Sequence, residues 1–165
     1  MCGIAGFLGD FDNSNYQLNN MLMSLVHRGP DDQQAMYDGP YSGGMRRLSI
    51  NDLKGGAQPL HNSSNTVTVF YNGEIYNYKS LKSLLEEKGI VFRGGSDGEV
   101  IPHLYDLYGE EVFRYLDGMF AISIWDSKTQ KLLLARDLPG EKPLYYSDTP
   151  NGLVYASEVK AIKSL

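Results

Sequence analysis

The order of its elements constrains this chain most: helical stretches stand grouped in the middle, with runs of short strands on either side. Lys79 to Lys88 places Leu81, Leu84 and Leu85 at helical spacing and stops at Gly89, which suits a left-handed cap. Val100 to Tyr108, ending at Gly109, predicts a second helix, and Glu110 to Leu116 a short one after it. Before them, Ala35-Met36-Tyr37 and Met45 to Ile50 read as strands, set off by Gly39-Pro40 and Gly43-Gly44 as turns. Thr66 to Tyr71 has the β-branched and aromatic density of a buried strand. After the helices, Gly118 to Asp126 alternates, turns at Ser127-Lys128-Thr129 and returns through Lys131 to Arg136 as a hairpin; Pro143 to Tyr146 and Leu153 to Ala156 add two strands. Helices grouped between sets of antiparallel strands predict α+β layers, not a doubly wound sheet. Smaller expectations are an amphipathic helix over Tyr16 to Val26 capped by asparagines, a short strand at Ile90-Val91-Phe92, and a helix opening at Ser157-Glu158.

Composition narrows the function classes. The 165 residues, 42% hydrophobic, fit one globular domain over residues 1–165. A net charge of -5, with the fifteen Lys and Arg scattered, leaves no basic footprint for nucleic acid or anionic lipid. A single cysteine excludes an intrachain disulfide, and no Cys or His spacing suggests a structural metal. The N-terminus lacks the marks of a signal peptide and no apolar run is long enough to span a bilayer, so a soluble, cytoplasmic protein without membrane contact is expected. Ser42-Gly43-Gly44-Met45 matches only the first half of an ATP-pyrophosphatase loop, Arg46-Arg47 standing in place of Asp-Ser, so no nucleotide site is expected. The last helix reaches Leu165 without a cap, as in the front part of a longer polypeptide.

The single cysteine, Cys2, follows Met1, and methionine is normally trimmed before so small a side chain. Processing would leave a thiol and a free α-amine on one residue; an α-amine titrating near 8 exchanges protons at neutral pH, so the nucleophile would carry its own base. The competing reading is a small buried hydrophobe in an N-terminal strand, with Gly3 and Gly6 admitting close neighbours. Asn72-Gly73 has two readings as well. It is a hairpin turn, or it is a strand end presenting an amide side chain beside an open backbone N–H, the pair an oxyanion hole requires. Ser96 or Asp97 could cap the following helix, or Asp97 could face a ligand's ammonium; His27 and Arg28 could touch substrate or neutralise helix-end carbonyls.

Several strings occur together in one order: Met1-Cys2-Gly3-Ile4-Ala5-Gly6, His27-Arg28-Gly29-Pro30-Asp31, Arg47-Leu48-Ser49-Ile50, Gly56-Ala57-Gln58-Pro59-Leu60, Tyr71-Asn72-Gly73-Glu74-Ile75-Tyr76-Asn77, Gly95-Ser96-Asp97, Leu116-Asp117-Gly118-Met119-Phe120-Ala121 and Lys142-Pro143-Leu144-Tyr145-Tyr146. In these the whole chain resembles the class II (N-terminal nucleophile) glutamine amidotransferases, and most closely the glutaminase domain of glutamine-dependent asparagine synthetases. The resemblance implies the four-layer αββα sandwich of N-terminal nucleophile hydrolases. It implies that Cys2 attacks the side-chain amide of L-glutamine, that a thioester forms, and that glutamate and ammonia leave. By the same resemblance Asn72 and the Gly73 N–H hold the oxyanion, Arg47 clamps the α-carboxylate with its planar fork, Asp97, helped by Glu74 or its neighbouring backbone, meets the α-ammonium, and Ile50 reads the amide end through its main chain. No cofactor is expected in this domain. ATP and Mg belong to a synthetase domain absent from these residues and acting in cis or in trans, and a homodimer is compatible with the pattern. Two rivals keep the fold but change the activity: an amidase or acylase of another substrate, and a non-catalytic regulatory module. One departure stands out: members of the family usually carry Arg-Asp-Pro-Leu-Gly or Arg-Asp-Arg-Phe-Gly where this chain has Arg136-Asp137-Leu138-Pro139-Gly140, so the turn there is expected to differ.

Overall fold

Successive residues of a strand point to opposite faces, and here both faces of the central strands are apolar. On β1 (Gly3–Gly9), Ala5 and Phe7 join one core cluster and Ile4 another. On β5 (Val67–Ile75), Val67, Val69, Tyr71 and Ile75 share one face while Phe70 takes the other. On β6 (Gly118–Asp126), Phe120, Ile122 and Ile124 lie opposite Ala121 and Trp125. Such strands need cover on both sides, and the fold supplies it. The computed structural model, which describes residues 1–48 and 57–165, is shaped around that requirement.

One antiparallel sheet runs in the order β2 (Asp32–Asp38), β3 (Tyr41–Arg47), β1, β9 (Gly152–Ala156), β8 (Tyr145–Thr149). The second runs β4 (Leu60–His61), β5, β6, β7 (Lys131–Arg136), also antiparallel. Their inner faces meet through Ile4, Tyr41, Met45, Phe70 and Trp125, with Tyr41 stacked on Trp125 at 5.0 Å between centroids. Helices α1 (Ser14–Ser24) and α4 (Val159–Lys163) cover the outer face of the first sheet through Leu18, Met21, Leu22, Leu25 and Ala161. Helices α2 (Tyr78–Glu87) and α3 (Val100–Tyr108) cover the second through Leu81, Leu85, Val100, Ile101 and Leu104. The result is the expected αββα sandwich. Among the described residues no helix is long and apolar enough to cross a membrane.

Several local expectations fail for identifiable reasons. Gly43-Gly44 is not a turn but lies inside β3, where a Cβ on Gly43 would sit 2.1 Å from Tyr41 Oη. The missing side chain makes room for a buried hydroxyl chain: Tyr41 and Tyr155 share a 3.0 Å hydrogen bond, and Tyr155 donates to Ser123 Oγ at 3.0 Å. Asn13 does stand at the start of α1, but in left-handed backbone (φ 51°) and without a side-chain capping bond, so the helix begins and ends two residues before the expected bounds. Ile90-Val91-Phe92 forms no strand because Ile90 belongs to the end of α2: its N–H donates to Leu85 O at 3.1 Å while Gly89, at φ 87°, donates to Glu86 O. Glu110 to Leu116 winds as a 3-10 helix over Gly109–Tyr115, and β8 starts at Tyr145, after Pro143.

The Arg136–Gly140 turn is organised by one buried carboxylate. Asp137 accepts from the N–H groups of Phe120 (3.0 Å), Glu141 (2.7 Å) and Lys142 (3.0 Å), and Gly140 N–H closes the turn on Asp137 O at 3.0 Å. Burial opposes its charge, but the Lys142, Glu141 and Phe120 N–H groups outweigh burial and hold the carboxyl below its ordinary value. A lowered folded-state value means stability that is present above about pH 4 and lost as pH falls through the folded value. Replacing Asp137 with Ala should leave these donors unmatched and cost about 1–3 kcal/mol in urea unfolding at pH 7. The gap between parent and variant should narrow below pH 4.

Candidate active site

The site is built on an open strand edge. β4 is only two residues long and pairs β5 at Leu60↔Val69 and His61↔Thr68. Beyond that point side chains do the work of a neighbouring strand. Gln58 donates through Nε2 to Tyr71 O (2.8 Å) and accepts from Tyr71 N–H through Oε1 (2.7 Å). Asp97 accepts from Ile75 N–H at 2.6 Å. Because the β5–β6 ladder runs without a bulge from Val67↔Asp126 to Ile75↔Gly118, residues 71, 73 and 75 turn their N–H groups to the same edge. The Gly73 N–H therefore lies between two partnered positions, on the side of the cavity. Position 73 admits only glycine, since a Cβ would meet Met119 O at 2.0 Å. The Asn-Gly pair is thus strand, not hairpin turn.

On the opposite face of β5, Asn72 is buried (4% exposed), and its Nδ2 has no hydrogen-bond partner among the described residues. A buried amide donor left unmatched carries a desolvation cost unless something else pairs with it.

Cys2 precedes β1, the middle strand of the first sheet. Ser157 fastens that strand: Ile4 N–H donates to Ser157 Oγ (2.9 Å), and Ser157 N–H to Ile4 O (2.8 Å). Arg28 Nε donates to Cys2 O at 3.0 Å, while its Nη1 meets Glu158 Oε1 at 3.1 Å and its Nη2 meets Met1 Sδ at 2.9 Å. Arg28 thus binds the main chain of Cys2 and the Glu158 carboxylate, not a helix-end carbonyl. His27, beside it, contacts the same Glu158 carboxylate at 2.8 Å. Leu48 N–H lies 3.5 Å from Cys2 Sγ and orients the thiol.

A cavity of about 680 Å³ joins these elements; Cys2, Arg47, Asn72, Gly73, Glu74 and Asp97 all line it, as do Gln58 and Lys142. Arg47 ends β3 on one sheet, Asn72 to Glu74 sit on the other, and Asp97 opens the 3-10 turn before α3. Asp97 also accepts from Tyr71 Oη at 2.5 Å and Gly98 N–H at 2.9 Å. A carboxylate has about four lone-pair sites, so three donors fix it and leave room for one more. Burial, then the Asp97 charge, push the Tyr71 hydroxyl far above its ordinary value, so it remains a donor. Ser96 Oγ caps the turn by accepting from Gly98 N–H at 3.3 Å, which bears out the capping reading of Ser96-Asp97. Ile50 lies outside the described residues. Sequence reasoning gave Gln58, Ser157 and Leu48 no part in this site and gave Arg28 other partners; Gln58, Arg28 and Leu48 stood in the strings quoted above, but only the fold shows what they hold.

The whole chain, residues 1–165, matches the family described as glutamine amidotransferase domain. The chain belongs to that family. Over 99% of its length this amidotransferase domain is 41% identical to asparagine synthetase [glutamine-hydrolyzing] 2 of Bacillus subtilis, covering 22% of that protein. Over 98% of its length it is 44% identical to asparagine synthetase [glutamine-hydrolyzing] 2 of Arabidopsis thaliana, covering 28% of it. It thus spans about a quarter of the length of these relatives. Among solved structures, the glutamine phosphoribosylpyrophosphate amidotransferase of B. subtilis superposes with a TM-score of 0.80 at 23% identity, over 99% of this chain and 43% of that one. That likeness is one of fold.

Proposed function

We propose that this domain hydrolyses L-glutamine to L-glutamate and ammonia through a Cys2 thioester, and that the ammonia passes to an ATP-dependent synthetase domain of the asparagine synthetase kind. The observation that carries the reading is the orphaned Asn72 Nδ2, buried in the wall of the cavity that also holds Cys2, Arg47 and Asp97. An unmatched donor there is matched when an oxyanion forms. In the proposed reaction the Cys2 thiol gives its proton to its own α-amine, freed by loss of Met1, as Sγ bonds to the glutamine Cδ. Negative charge gathers on the amide oxygen, facing Asn72 Nδ2 and the Gly73 N–H. Collapse breaks the C–N bond, and the ammonium returns the proton to the leaving nitrogen, which departs as ammonia. Water, deprotonated by the same amine, then attacks the thioester, releasing glutamate and the thiol. Arg47 receives the α-carboxylate; Asp97, with Glu74, receives the α-ammonium. ATP and Mg would act only in the synthetase domain.

Charge at both ends of the substrate discriminates this reading from an amidase or acylase of the same fold. With Met1 removed, kcat/KM for free L-glutamine should exceed that for N-acetyl-L-glutamine by roughly 10³-fold or more, because the acetylated nitrogen leaves a carboxylate unmatched. Comparable turnover of the two would assign the site to a different amide.

A further inference from the structure

The glutaminase reading assigns no task to Gln58, yet its side chain is placed as though it were a strand. It is nearly buried (9% exposed) and lines the cavity, but both ends of its amide are spent on the two main-chain groups of Tyr71, at 2.8 and 2.7 Å. Tyr71 is the residue immediately before Asn72, and its hydroxyl holds Asp97. From the Gln58 side chain, then, one path runs along the backbone to the oxyanion donors and another through the phenol to the ammonium's counter-charge. β4 stops supporting β5 at Val69, so without Gln58 the strand would carry an unpaired N–H and C=O where the geometry of Asn72 and Gly73 has to be held. A main-chain shift of about 1 Å at such donors is enough to cost about 10²-fold in rate.

We infer that Gln58 is a positioning residue that completes the edge of β5 and thereby aims Asn72 and the Gly73 N–H at the reacting carbon's oxygen. The inference rests on the glutaminase reading. The loss should fall mainly on the transition state, because Asp97 keeps two donors besides the Tyr71 phenol, the Ile75 and Gly98 N–H groups, and Arg47 has no bond to Gln58.

The test compares the processed parent chain with Gln58→Leu and Gln58→Glu in steady-state glutamine hydrolysis. Gln58→Leu should lower kcat by about 10- to 100-fold with KM within about threefold of the parent. Gln58→Glu supplies a readout that a purely structural role would not move. Protonated, its carboxyl can donate to Tyr71 O and accept from Tyr71 N–H, as the amide does; ionised, it cannot donate and sets charge against a carbonyl oxygen. Burial raises a carboxyl's pKa, so the variant-to-parent ratio of kcat should climb as pH falls from about 8 to about 6. If Gln58→Leu fails to fold, that ratio decides alone. A kcat for Gln58→Leu within twofold of the parent, a loss carried only by KM, or a pH-independent ratio for Gln58→Glu would overturn the inference. A parent chain without any turnover would overturn the glutaminase reading itself, a result distinct from these.

Discussion

Replacing Cys2 with alanine should abolish glutamine hydrolysis, lowering kcat by about 10⁴-fold or more. Cys2 is the only thiol in the chain, so no second sulfur can substitute for it. The side chain is half-buried at the margin of the inter-sheet core, so its truncation should leave the fold in place. Far-UV circular dichroism and a urea midpoint would verify that, and coupled detection of ammonia would report the rate. Cys2→Ser keeps the amine and most of the shape but offers a hydroxyl, a far poorer nucleophile at neutral pH, and should be almost as inactive. Intact mass after acid quench adds a direct view: the parent should carry a glutamyl adduct on Cys2, and neither variant should. A chain that retains Met1 is expected to behave like the alanine variant, because its Cys2 nitrogen is locked in a peptide bond. Full activity in any of the three would place the nucleophile or its base elsewhere.

The layered fold was legible because the information is local. Gly118 to Asp126 alternates, Gly89 and Gly109 end helices at positive φ, and helices gather between antiparallel strands. The residue types of the site were legible too, through strings in a fixed order. What a string cannot show is which elements approach each other. Asn72-Gly73 looks like a turn until the partner strand is known, and Gly43-Gly44 looks like one until Tyr41 is seen to occupy the space above Gly43. Arg28 resembles a helix-end cation, yet its partners are Cys2 O, next to β1, and Glu158, at the start of α4. Gln58 sits in a loop by every local measure and works as a strand because β4 begins only at Leu60. Each of these is a long-range pairing, settled by the sandwich as a whole.

Replacing Asn72 with alanine should lower kcat by about 10²- to 10³-fold, or about 2.7–4 kcal/mol, the usual cost of one oxyanion donor. KM should change little, since in the proposed reaction the donor meets charge that exists only in the transition state. Stability is the more telling measurement. Most buried polar side chains are tied to the fold by hydrogen bonds, and removing one destabilises it; Asn72 Nδ2 has no such bond among the described residues. Its burial at 4% exposure is a standing cost in the resting protein. Alanine relieves that cost while losing a little packing, so the urea midpoint should hold or rise as the rate falls. Asn72→Asp makes the same point from the other direction, because it preserves shape but puts an acceptor and a charge where the oxyanion forms, and should be slower still. A loss of stability in parallel with the rate would mean that Asn72 is a structural amide. A fall in rate with stability unchanged or improved is the signature of a donor held unmatched until the reaction supplies its partner.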